Sequence, residues 1–90
     1  MFKTLEELIS VIRQRKSFST EESYTNKLLN NKKLSVEKVK EEITELIDAI
    51  EKNTNKVHEA ADVLYHLMVL LEANGIKIED VMNELKNRQK

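Results

Sequence analysis

Two pairs of carboxylates carry the chemistry this sequence offers: Glu42 and Glu45 within EEITE, and Glu59 and Asp62 at the head of HEAADVLYHLMVLL. On a helix, residues three apart lie roughly 60° apart around the axis, so each pair shares a face. Taken alone, EEITE reads as a solvated helix face, and Glu59 reads as first-turn compensation of the helix dipole. Asp62 does not fit that reading, because it follows two alanines and precedes an apolar run with no evident exposed side. Acid pairs on consecutive antiparallel helices can converge, and four carboxylates held together repel unless a divalent cation neutralises them. The chain has no cysteine. Hard oxygen donors therefore point to Mg²⁺, with Mn²⁺ as the alternative. Mg²⁺ on protein carboxylates keeps positions open for water and phosphate oxygens, which predicts phosphoryl or pyrophosphoryl chemistry.

A polyphosphate substrate also needs cations. Arg13, Arg15, Lys16, Lys27 and Lys38 are the candidates, and Lys38 falls one turn before Glu42. Each of them, singly, also reads as a solubilising surface residue. Ser23, Tyr24 and Thr25 either donate hydrogen bonds to a nucleotide or form a helix start. His66, inside an apolar run, reads as a satisfied core histidine rather than a base or ligand, and Met68 and Met82 read as core. The chain has no Gly-rich phosphate loop, no GxSxG and no HExxH.

The elements that must position these groups are all helical. Thr4 with Glu7 matches a capping box, followed by Leu5, Leu8, Ile9 and Ile12 at helical spacing up to RQRK at 13–16. Ser19 with Glu22 repeats the pattern ahead of SYTNKLLN, a short second helix, and NNKKL then breaks it. Ser35 is the expected cap of a third helix, VEKVKEEITELIDAIEK, with Val36, Val39, Ile43, Leu46, Ile47 and Ile50 in one stripe and Glu42 at its border. A fourth helix spans about Lys56 to Asn74 and stops at Asn74-Gly75. A fifth runs from Ile78 to the carboxyl end, with Ile78, Val81, Met82 and Leu85 on one side. The third and fourth, and the fourth and fifth, are joined by short loops and are expected to pack antiparallel.

Composition agrees. One Gly, no Pro, 4% aromatics and 34% charged residues favour helices over sheets. A chain of 90 residues is expected to form a single domain, 1–90, with little stability to spare. The formal net charge of −1 provides no basic field for nucleic acid. VLYHLMVLL is too short to cross a bilayer, and the start MFKTLEELI reads as a helix rather than a signal peptide, so a cytoplasmic protein is expected. From Ala60 to Leu71 the fourth helix is apolar on every side, the mark of a bundle's centre. One short chain has few helices to surround it, so the expected fold is an all-α antiparallel bundle of about five helices, its four-helix core completed by homodimerisation.

KVKEEITE at 38–45, EAADVLYHLMVLL at 59–71, SYTNKLL at 23–29 and VMNELKNR at 81–88, in this order after VIRQRK at 11–16, resemble phosphoribosyl-ATP pyrophosphohydrolase of histidine biosynthesis. The pairing of ExxE with a later ExxD is shared with the wider all-α MazG-like pyrophosphohydrolases; SYT with ADxxYH is more specific. The resemblance implies Mg²⁺-dependent hydrolysis of phosphoribosyl-ATP to phosphoribosyl-AMP and pyrophosphate by a homodimer without a cyclohydrolase domain. It implies Glu42, Glu45, Glu59 and Asp62 as metal ligands, Glu41 as an auxiliary acid beside Glu42 and Glu45, and Lys38 with Ser23, Tyr24 and Thr25 against phosphates or ribose. The chain departs from the family pattern at Lys40 and in the loop 30–33, where glycine is usual, and at His58, where an apolar residue is usual. The rival functions are a house-cleaning nucleoside triphosphate pyrophosphatase and a non-enzymatic helical dimerisation module.

Overall fold

A computed structural model describes residues 2–19 and 21–89. It contains α1 (Lys3–Gln14), a 3₁₀ turn (Arg15–Ser17), α2 (Tyr24–Leu29), α3 (Lys32–Lys52), α4 (Lys56–Ala73) and α5 (Ile78–Arg88), and no strand among the described residues. The expected all-α class and five helices are therefore observed.

Helix α4 is the hub, touching α1, α2, α3 and α5. Its longest contact is with α3, to which residues 53–55 join it in a tight antiparallel hairpin. Asn53 closes α3 in the left-handed conformation, φ 57°, with Asn53 N–H donating to Ile50 O and Thr54 N–H to Ala49 O. The stop expected at Gly75 has the same form. Its φ is 70°, Gly75 N–H donates to Glu72 O and Ile76 N–H to Leu71 O.

Three expected helix starts move. Phe2, not Thr4, occupies the cap position of α1, and no side chain caps it. Ser19 Oγ does accept from Glu22 N–H, at 3.3 Å, but the contact makes a turn, and Ser23 caps α2 by accepting from Asn26 N–H. Asn31 caps α3 through Leu34 N–H at 3.0 Å, so NNKKL begins this helix rather than breaking the pattern. Ser35 lies inside it, buried, its hydroxyl donating to Leu28 O at 2.6 Å and tying α3 to α2. Asx and Ser side chains are near-equivalent caps, so the choice among neighbouring candidates falls to packing.

The core is Ile12, Leu28, Met68 and Val69, with Leu5, Leu8, Ile9, Leu29, Leu34 and Leu71 packed around it. Met68 is in the core as expected, whereas Met82 is 48% exposed. The stripe on α3 also divides. Its buried side is Ser35, Val39, Glu42 and Ala49, while Val36, Ile43, Ile47 and Ile50 are exposed. Glu42 thus sits inside the buried seam, not at its border. Most of α4 is covered within one chain, and its open side is Val57, Ala61 and Leu64.

Candidate active site

The α3–α4 hairpin brings the two acid pairs face to face in one antiparallel register, Glu42 toward Asp62 and Glu45 toward Glu59. Ligand oxygens of Glu41, Glu42 and Glu45 lie within 4.8 Å of one another, and on α4 so do ligand atoms of His58, Glu59 and Asp62. Glu42 is only 8% exposed. Oε2 of Glu42 and Oε2 of Glu59 are both buried without a hydrogen-bond partner.

Buried carboxylate oxygens without donors are costly unless a cation meets them. Burial pushes the Glu42 carboxyl above the ordinary glutamate range, and Glu45 and Asp62 push it the same way against the opposing pull of His66. Glu59 is raised too, first by burial and then by Glu45, with Asp62 adding to it and His58 opposing. Convergent acids, orphaned oxygens and the absence of a facing Lys or Arg ion pair at Glu42 or Glu59 among the described residues fit a divalent cation held by oxygen ligands.

One wall of the site is made by the start of α2. In the neutral ring, His66 Nδ1–H donates to the carbonyl of Asp62 at 2.9 Å, because a carbonyl only accepts. Nε2 then takes the Tyr24 hydroxyl at 3.3 Å. His66 is buried and satisfied, as its apolar context predicts. The hydroxyls of Thr25 and Tyr65 are hydrogen-bonded to each other. Burial raises the Tyr24 phenol, opposed by Lys38. Lys38 in turn pairs with Glu41 at 3.4 Å, and this acid holds its ammonium above the ordinary lysine range.

The sequence-predicted residues therefore divide. Glu41, Glu42, Glu45, Glu59, Asp62, Lys38 and Tyr24 come together. Ser23 spends its oxygen on the α2 cap, and Thr25 its hydroxyl on Tyr65. Lys27 is exposed in the last turn of α2. Arg13 is not brought to the acids. It binds Glu72 at 3.3 Å and Glu79 at 2.8 Å. Glu72 lies ten residues beyond Asp62, which at the helical rise is about 15 Å along α4. Two residues were missed. His58 stands beside Asp62, its signal being the i, i+4 spacing. Buried Asn26 donates to Arg15 O at 2.7 Å and fastens α2 to the end of α1, for which only its helical position gave a hint.

Comparison with known proteins gives this geometry a lineage. Residues 5–89 match the family described as phosphoribosyl-ATP pyrophosphohydrolase. The chain belongs to that family. It is 46% identical over 90 residues to a phosphoribosyl-ATP pyrophosphatase of Clostridium novyi, covering 96% of this chain and 81% of that protein. Identity to the phosphoribosyl-ATP pyrophosphatase of Sulfurisphaera tokodaii is also 46%, over 96% of this chain and 95% of that one. A histidine biosynthesis bifunctional protein of Pyrococcus furiosus is 44% identical over 96% of this chain, which spans 41% of its length. For a member of the family, the resemblance of EEITE and EAADVLYH is matched by two acid pairs that meet.

Proposed function

We propose that the chain hydrolyses phosphoribosyl-ATP to phosphoribosyl-AMP and pyrophosphate, the second step of histidine biosynthesis, at the carboxylates of α3 and α4 with Mg²⁺ or Mn²⁺ as cofactor. The observation that carries this reading is the pair of partnerless buried oxygens on Glu42 and Glu59, within an acid cluster of a chain from this family. When bound, the cation polarises phosphate oxygens, offsets charge developing on the leaving group and lowers the pKa of a water. Glu42, Glu45, Glu59 and Asp62 hold it, and the rigid α3–α4 hairpin fixes their spacing. Glu41, whose carboxylate lies beside those of Glu42 and Glu45, serves as an auxiliary acid of the site. Lys38 exchanges its Glu41 contact for a phosphate oxygen, and the Tyr24 hydroxyl, held by His66, borders the sugar and phosphate path.

The reading extends to assembly and place. Ile47 is 49% and Leu64 48% exposed, and with Val36, Ile43, Ile50 and Val57 they form an apolar face on α3 and α4. Water meets that face in the single chain. A second copy covers it and completes a four-helix core. No helix of the described residues is long and apolar enough to cross a membrane, and a chain free of cysteine suits the reducing cytoplasm.

The test is pyrophosphate release from phosphoribosyl-ATP in the presence of Mg²⁺, in competition with dUTP and dCTP. Preference for the ordinary nucleotides would replace this reading with the house-cleaning one, and indifference of any activity to Asp62→Asn would remove the site. Light scattering on the eluting protein is expected to give twice 10.5 kDa, falling to the single-chain mass on Ile47→Glu.

A further inference from the structure

His58 stands in the first turn of α4, four residues before Asp62 and next to Glu59. Its Nε2 is 3.4 Å from Asp62 Oδ2. One ligand atom from each of His58, Glu59 and Asp62 fits within a 4.8 Å set. The ring is otherwise uncommitted. Its side chain is 73% exposed, it has no part in the core or in any helix cap, and Asp62 is its one ion-pair partner among the described residues. On α3, Glu42 is buried with one carboxylate oxygen partnerless, and Asp62 is among the acids that raise its carboxyl.

We infer that His58 is a nitrogen donor to the cation site, joining Glu59 and Asp62 on α4 opposite the carboxylates of α3. The inference rests on the cation site proposed above and says which ion that site prefers. An all-carboxylate set suits Mg²⁺, a hard ion that takes oxygen ligands and dehydrates reluctantly. Imidazole adds little for Mg²⁺ but strengthens binding of borderline first-row ions, whose affinities also rise across the series. A mixed nitrogen and oxygen face therefore moves the site toward Mn²⁺ and Co²⁺. An exposed surface histidine that only pairs with Asp62 would not distinguish among divalent ions.

The experiment is calorimetric titration of Co²⁺ and of Mg²⁺, each alone, into the full chain and into His58→Ala and Asp62→Asn, with pulsed electron paramagnetic resonance of the Mn²⁺-loaded proteins. His58 is exposed, so its replacement leaves the fold intact, which circular dichroism verifies. The expected result is that His58→Ala weakens Co²⁺ about tenfold, in the range of losing a group from a metal's immediate surroundings. Mg²⁺ affinity is left nearly unchanged, and the ¹⁴N modulation seen on Mn²⁺ in the parent chain is lost. Binding that Asp62→Asn abolishes but His58→Ala leaves unchanged for both ions, without ¹⁴N modulation, overturns the role of His58 while keeping the cation site. Failure of the parent chain to bind either ion overturns both.

Discussion

Helix α4 carries acids at both ends, and the two ends treat them in opposite ways. Near its end, Glu72 receives Arg13 at 3.3 Å and Lys16 at 2.7 Å, while Arg13 also grips Glu79 of α5 through two hydrogen bonds. Although burial pulls upward, those cations hold Glu72 below the ordinary glutamate range, and Arg13 pushes Glu79 down to about 2. Near its start, Glu59 and Asp62 meet Glu42 and Glu45, no Lys or Arg ion pair holds Glu42 or Glu59 among the described residues, and both carboxyls are raised. A chain with 15 basic residues for 16 acids had cations available for both clusters. Pairing marks the acids that fasten α1, α4 and α5 together; lack of pairing marks the acids that the proposed function assigns to a cation.

The sharpest way to break this contrast is to neutralise one acid at each end. Glu42→Gln is expected to lower phosphoribosyl-ATP hydrolysis by about 10²–10³-fold, the scale of losing one group that stabilises a developing charge. Glu72→Gln is expected to leave the rate near that of the parent in the same assay. Equal losses would mean that the two clusters are not functionally distinct.

Next in size is the cation's effect on stability. Mg²⁺ at about one hundred times its dissociation constant should stabilise the fold by about 2.7 kcal/mol, read as a rise in the thermal midpoint. That rise should vanish in Glu42→Gln and persist in Glu72→Gln. Smaller again is the direct cost of breaking the paired end. Glu72→Gln should destabilise the metal-free chain by about 1 kcal/mol in urea titration, since Glu72 is mostly buried but its cations are partly solvated.

The smallest effect tests the sign of the raised acids. A carboxyl raised in the folded state binds more protons folded than unfolded, so the metal-free chain loses stability as pH climbs from the ordinary glutamate value of 4.5 through the raised one. Glu42→Gln removes that loss. Its urea midpoint should exceed the parent's at about pH 7, and the gap should close as pH falls toward 4.5. Glu79, being lowered, acts oppositely: its contribution is present above its ordinary range and disappears as pH falls toward about 2.

Much of this was legible before folding. Asn74-Gly75 ended α4 as expected because only a left-handed residue allows the chain to reverse there. Asp62 stands out in sequence as an acid beside an apolar run, yet the fold leaves its side chain 39% exposed and beside His58, because the apolar run is not covered on every side within one chain. Ser35 reads as a cap in sequence, but Asn31, four residues earlier, offers the same kind of acceptor and takes the position, and periodicity does not rank the two. Arg13 was a candidate for phosphate because a cation's partner depends on which acids the fold brings near it, and Glu72 and Glu79 are 59 and 66 residues away. The apolar stripe on α3 looked single because a broad stripe of helical period does not show where one buried seam ends and an exposed face begins.

By itself, the sequence determined what is set by neighbours along the chain: the helical class, the spacing that puts Glu42 with Glu45 and Glu59 with Asp62, and the turn at Gly75. Only the tertiary structure decided that these pairs meet across one antiparallel register, that Oε2 of Glu42 and of Glu59 lack donors, and that Arg13 is taken by the far end of α4. The physical reason is range. Helical periodicity and capping act over a few residues, whereas burial and charge pairing depend on which helix packs beside which.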